Sequence, residues 1–243
     1  MMIMAEKDSA FSFLRSLEDH LNSSIPEPYE VSKEINKITG KAKASSSAPQ
    51  LKRPEEAFLN SYVAPAVHKF LSINMGLGND GAKTAFLSEN YRHILEWASG
   101  SPARSMRHPF TKVVGNKPQI IFEQWKGNGP GYPVVQSCPD MALCPPCPHK
   151  VVIEGKYFSK GGLQAAETAL VTNIYQAFFY RALPHIPESP THPAWDYDYA
   201  CFLAYDATEE GYLKKAWDLL DKRVKEGCWA GANIYVMILR GRK

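Results

Sequence analysis

The residues Ser137-Cys138-Pro139-Asp140-Met141-Ala142-Leu143, a Pro-rich connection, and then Val151-Val152-Ile153-Glu154-Gly155-Lys156-Tyr157-Phe158 decide how the chain is read. Val151, Val152 and Ile153 are β-branched, which favours a strand. Side chains alternate across a strand, so Glu154 and Lys156 share one face. Ile153 and Gly155 point to the other, where a helix can pack. Asp140 is expected at the end of a neighbouring strand, joined to this one across the prolines. That pairing would bring two carboxylates and a lysine together.

Downstream, Leu163 to Leu183 reads as the clearest helix, with Leu163, Ala166, Leu170, Ile174 and Phe178 on one stripe and Val171, Tyr175 and Phe179 beside it; it is expected to be largely buried. Residues 200–205 read as a strand, 209–226 as an amphipathic helix and 234–239 as a final strand. Upstream, Ile120-Ile121-Phe122 and Tyr132-Pro133-Val134-Val135 read as strands separated by a Gly-rich turn at 127–131. The order β, β, β, α, β, α, β implies an α/β protein with a mixed sheet and helices on its faces.

Pro54 suits a helix start, and Glu55 and Glu56 suit the positive end of its dipole; Pro65 is expected to kink this helix. Gly76-Leu77-Gly78-Asn79-Asp80-Gly81 fits a dinucleotide fingerprint by letter. It follows a helix rather than a strand, so it reads as a turn leading into a helix over 83–97. Residues 99–117 look irregular. At the N-terminus Ala10, Phe13, Leu14, Leu17 and Leu21 have helical spacing, and Val31, Ile35 and Ile38 suggest a second, weaker helix before a Ser-rich linker at 44–49. Residues 1–50 are therefore expected to form a helical and flexible arm, for dimerisation or for gripping DNA, and residues 51–243 the main domain.

With 243 residues and 44% hydrophobic content the chain can bury a full core. The net charge of +3 is too mild to establish nucleic-acid binding by itself. Its distribution matters more: Lys33, Lys37, Lys41, Lys43, Lys52 and Arg53 form one basic stretch, and Arg104, Arg107, Lys112 and Lys117 another. The start turns polar at Glu6 before a signal-peptide core could form, and no apolar run is long enough to span a membrane, so a cytoplasmic protein is expected. Five cysteines without a secretory signal argue for thiols or a metal site over disulfides.

Two carboxylates on adjacent strands can hold one hard cation such as Mg²⁺, whose coordination is completed by water and substrate phosphate. A lysine beside them can stabilise charge developing on a phosphodiester or orient the attacking water. At Pro139-Asp140 and Glu154-Gly155-Lys156 the chain resembles the PD-(D/E)xK nuclease superfamily, which includes many type II restriction endonucleases. The resemblance covers roughly residues 118–205 and rests on a short motif. It implies a restriction-endonuclease-like αβββαβ core and Mg²⁺-dependent hydrolysis of double-stranded DNA, with Mn²⁺ as a substitute. It implies that Asp140 and Glu154 bind the metal and that Lys156 assists hydrolysis. A homodimer is expected by analogy, since two-fold symmetry suits cutting both strands.

The superfamily often adds an acidic residue from a helix before the first strand, for which Glu56 and Glu89 are the candidates. Gln176-Ala177-Phe178-Phe179-Tyr180 also resembles the Gln-x-x-x-Tyr element of the exonuclease branch, although Tyr180 in so aromatic a helix reads better as core. An exonuclease or repair nuclease is therefore the alternative enzyme. A different class stays open: Cys138, Cys144, Cys147 and His149 could hold Zn²⁺ in a non-catalytic DNA-binding protein, against the simpler expectation of a Pro-stiffened turn with free thiols.

Overall fold

Two neighbouring strands buried on both faces set the architecture. The computed structural model describes residues 2–44, 53–88, 111–114, 117–120, 140–182 and 197–242. In chain order the helices are α1 (Met2–Ser24), α2 (Pro28–Ala44), α3 (Pro54–Phe58), α4 (Ala64–Lys69), α5 (Gly78–Ala85), α6 (Leu163–Ala182), α7 (Tyr212–Leu219) and α8 (Lys222–Ala230). The strands are β1 (Phe86–Ser88), β2 (Thr111–Val114), β3 (Lys117–Ile120), β4 (Met141–Leu143), β5 (Val151–Phe158), β6 (Tyr199–Asp206) and β7 (Ile234–Leu239). Five of them form a mixed sheet in the order β1-β4-β5-β6-β7. The β1/β4 and β4/β5 pairs are antiparallel, and β5/β6 and β6/β7 are parallel.

Odd-numbered residues of β5 and β6 (Val151, Ile153, Tyr199, Cys201, Leu203, Tyr205) join Phe13, Leu14, Leu17, Val31, Phe58 and Val67 in one core. Even-numbered residues (Val152, Phe158, Ala200, Phe202, Ala204) join Ala166, Leu170, Ala177, Tyr180 and Leu213 in a second core on the opposite face. The molecule is thus an α/β protein whose sheet carries helices on both faces. Each β6 side chain is buried, as a central strand between two helical layers requires.

Residues 2–44 are part of this body and not an arm. Leu14, Leu17, Leu21 and Ile25 of α1 and the turn after it are at most 1% exposed. Tyr235 donates to Glu18 at 2.6 Å, Tyr205 to the Pro26 carbonyl at 2.6 Å, and Lys7 to the Ala230 carbonyl at 2.8 Å. The expected spacing of apolar residues in α1 is right, but its partners lie some two hundred residues away in sequence. Lys33, Lys37, Lys41 and Lys43 stay exposed on α2, with Lys37 paired to Glu34 at 3.1 Å.

Other expectations shift. The helix starting at Pro54 widens into a π-type turn over Leu59–Val63 just before Pro65, whose missing N–H cannot close the regular bond, and widens again over Phe70–Asn74. Gly76 and Gly78 both have φ near +67°, so the chain turns at the start of the Gly-rich segment and its second half, from Gly78, already forms α5. The helix expected over 83–97 ends at Ala85, and Phe86–Ser88 pairs with β4 instead. Thr111–Val114, expected to be irregular, pairs with Lys117–Ile120 in a separate two-stranded sheet. The strand expected at 132–135 lies outside the described residues. The helix expected over 209–226 is two helices, broken where Asp221 accepts from the Arg223 N–H and caps α8. The α6 helix is only half covered: Ala166, Leu170, Asn173, Ala177 and Tyr180 are buried, while Val171, Tyr175 and Phe178 are exposed.

Candidate active site

The short strand β4 makes the site. Met141 pairs with Ile153, Ala142 with Val152 and Leu143 with Val151, so Asp140 comes immediately before the first paired residue, beside Glu154. Alternation puts Glu154 and Lys156 in phase with Val152, toward the face that carries α6, whereas Asp140 lies just outside β4 and its carboxylate reaches the Gly155 backbone. The expected pairing across the Pro-rich turn therefore forms, although Asp140 precedes its strand instead of ending one. Beyond that strand pair the Gly155 N–H donates to Asp140 Oδ2 at 2.8 Å. The side chain thus takes the bond a longer strand would have made, and its orientation is fixed by the backbone of the Glu-x-Lys segment.

Gly155 has a steric reason. A methyl group there would stand 2.6 Å from Leu59 Cδ2 and 3.3 Å from Asp140 Oδ2. Any Cβ here would have to push the end of the buried Leu59 side chain aside, so glycine lets the helix beginning at Pro54 lie close to β5, and that approach delivers Glu55. The Glu55 carboxylate meets Lys156 Nζ at 2.6 Å, with both side chains about a third exposed, 35% and 33%.

Glu154 is different from both. It is only 8% exposed, and Oε2 is buried with no hydrogen-bond partner. Burial holds its carboxyl well above the usual carboxylate range; the neighbouring charges of Asp140 and Glu55 push it further up, and Lys156 pulls it down. A buried carboxylate oxygen without a donor is costly, and such atoms are rare in finished cores.

Of the helix acids, Glu55 reaches the cluster, whereas Glu56 lies 3.4 Å from Arg53 and Glu89 is outside the described residues. The signal was available: Phe58 and Leu59 are buried, and a helix places i+3 and i+4 on the same face as i, so Glu55 lies one turn above them. Lys156 also opens onto a groove of about 600 Å³ lined by Gln164, Thr168, Thr172, Asn173 and Gln176 of α6. Gln176 donates to the Tyr180 hydroxyl at 2.9 Å, and Tyr180 is core at 1% exposed.

The cysteine cluster is divided by the sheet. Cys144 belongs to the core under α6 and Cys147 to the core under α1, and both are buried thiols. Burial pushes the Cys147 thiol up to about 11, which keeps it protonated. His149 lies 3.3 Å from the Ser9 hydroxyl and packs on Phe13 and Tyr199. Cys138 lies outside the described residues. Among the described residues no three His, Cys, Asp or Glu side chains are gathered to hold a metal ion. Asp140 and Glu154 are two, which fits a cation that takes one or two carboxylates and keeps its waters, as Mg²⁺ does; the orphaned Oε2 fits such a role. No helix among the described residues is long and apolar enough to cross a membrane. Comparison with protein-family models, with curated proteins and with solved structures returned no match.

Proposed function

We propose that the protein is a Mg²⁺-dependent nuclease of the PD-(D/E)xK type, an endonuclease acting on double-stranded DNA as restriction enzymes do. The observation that carries this is the buried, unpartnered Oε2 of Glu154, set beside Asp140, with Lys156 at the mouth of an open groove. With the separate β2/β3 pair set aside as an insertion between β1 and β4, the order of α5, β1, β4, β5, α6 and β6 is helix, three strands, helix, strand, which supports the restriction-endonuclease-like core. Asp140 and Glu154 would hold Mg²⁺, or Mn²⁺ in its place. When bound, the ion supplies positive charge that favours ionisation of a water and offsets charge on the phosphate.

The chain's own groups do the rest. Lys156 carries three donors at the groove edge, suited to a non-bridging phosphate oxygen or to the attacking water. Glu55 holds that ammonium in place at 2.6 Å. The Gly155 N–H holds Asp140, so the two sides of the site are tied through one backbone segment. A homodimer would present two such sites to the two strands.

An exonuclease of the same superfamily is the second reading, because Gln176 lines the groove that Lys156 opens onto. A supercoiled plasmid incubated with Mg²⁺ separates the two. Discrete bands, abolished by EDTA and reduced by about 10²–10³-fold in Asp140→Ala and Lys156→Ala proteins, are expected. Loss from the ends of linear DNA alone would select the exonuclease. Cutting unchanged in both variants, or none with either Mg²⁺ or Mn²⁺, would overturn the proposal.

A further inference from the structure

The groove beside Lys156 has an order that the catalytic cluster does not require. Gln164, Thr168, Thr172 and Gln176 recur every four residues and form one row along α6. The first three are exposed, and Ala165 and Ala169 lie next to them on the groove floor. Among the described residues that line the groove the only charged side chain is Lys156. Glu167, on the same helix and exposed, is not among them.

A merely solvated face of a helix tends to carry Glu, Lys or Arg, which favour the helix and water alike. Thr is β-branched and costs some tenths of a kcal/mol of helix propensity. At Thr168 and Thr172 no burial offsets this. An uncharged row of hydroxyls and amides over small residues suits a ligand that is itself negatively charged and must approach closely. Such side chains donate to phosphate oxygens and sugars without reading sequence. Thr168 now donates to the Gln164 carbonyl at 2.9 Å, a bond that hydroxyl rotation can redirect. From Gln164 to Gln176 the helix advances about 18 Å, the rise of about five stacked nucleotides.

We propose that the Gln164, Thr168, Thr172 and Gln176 row of α6 is the track for the DNA strand whose scissile phosphate meets Lys156. This rests on the nuclease reading and assigns the side chains that hold its substrate. The row positions the strand by uncharged contacts, and Lys156 ends the track at the reacting phosphate.

The test uses the full chain and a fluorescein-labelled DNA duplex. Anisotropy in EDTA gives binding, and cleavage of the same duplex with Mg²⁺ gives kcat and KM. Thr168→Glu/Thr172→Glu puts two like charges against the phosphates and should weaken binding about tenfold or more. KM should rise in step and kcat should stay within about threefold, the pattern of lost uniform binding. Thr168→Ala/Thr172→Ala, which favours the helix, should show the same direction with a smaller effect. Val171→Glu/Tyr175→Glu adds the same charge to the other exposed side of α6 and should leave both constants unchanged. Equal weakening by the two Glu pairs, or an unchanged KM in the row variants, would overturn the track while leaving the nuclease reading intact. A wild-type protein that neither binds nor cuts DNA would overturn both.

Discussion

Glu154 and Asp206 are two buried carboxylates on adjacent parallel strands, four positions apart in register, and the protein treats them in opposite ways. Asp206 is wholly enclosed, and both of its oxygens are satisfied. Oδ1 accepts from the N–H and the hydroxyl of Thr208, and Oδ2 accepts from the N–H groups of Leu213 and Lys214. The last two are free donors of the first turn of α7, so Asp206 ties the end of β6 to the helix that follows. Glu154 is buried nearly as well, yet one oxygen has no donor and its nearest charges are two more carboxylates and a lysine. Burial of a charge therefore does not mark a site. What marks it is a buried charge that the fold has left unsatisfied, next to others of its own sign.

The largest effects follow from exchanging these two roles. Asp206→Ala leaves several buried donors without an acceptor and should cost about 3 kcal/mol or more, given about 1–3 kcal/mol for each unsatisfied group. Glu154→Gln puts a neutral amide of nearly the same shape where burial already disfavours the ionised carboxylate, so it should leave stability in EDTA unchanged or raised while cleavage falls about 10²–10³-fold. Urea unfolding of both variants beside the plasmid assay checks this. A Glu154→Gln protein that unfolds more readily than wild type would break the contrast.

Glu18 sharpens it with an intermediate case. Tyr235 donates to its carboxylate at 2.6 Å, but burial still raises its pKa above the ordinary value of 4.5, against lowering by the Tyr235 hydroxyl and by Arg15 and opposed further by Asp19. The folded state thus holds this proton more tightly than the unfolded chain. Its contribution to stability is complete below pH 4.5 and is lost as pH rises through the folded value. Wild type minus Glu18→Gln, compared by urea midpoints from pH 4 to pH 7, should therefore decline with rising pH. A flat or rising difference would show that the Tyr235 bond outweighs burial.

How far the sequence discloses these sites depends on the range of the contacts. Val151–Phe158 could be read because strand alternation is local, and with it the shared face of Glu154 and Lys156. The helix from Leu163 was legible as a helix, but not its orientation: Val171, Tyr175 and Phe178 are as apolar as Leu170, and only the sheet beneath decides that Leu170, Ala177 and Tyr180 face inward. Phe86–Ser88 becomes a strand through pairing with residues more than fifty positions away, against a local pattern that reads as helix. The docking of α1 rests on Tyr205 and Tyr235 for the same reason. The thiols of Cys144 and Cys147 are close in sequence and fall into separate cores, which spacing alone does not show.

Glu55 and Glu56 give the smallest and most discriminating contrast, because they are adjacent and chemically identical. Glu55 holds Lys156 at 2.6 Å, whereas Glu56 lies 3.4 Å from Arg53, a side chain 77% exposed. Partly exposed pairs contribute about 0–1 kcal/mol, so Glu55→Gln and Glu56→Gln should each leave the melting temperature nearly unchanged. Their effects on cleavage should differ. Releasing Lys156 lets its long stem sample several rotamers, and a lost restraint at a catalytic group should lower kcat about tenfold with little change in KM. Glu56→Gln should change neither constant. Equal kinetics in the two variants would mean that Lys156 finds its place without Glu55, and that β5 alone aims the ammonium at the groove.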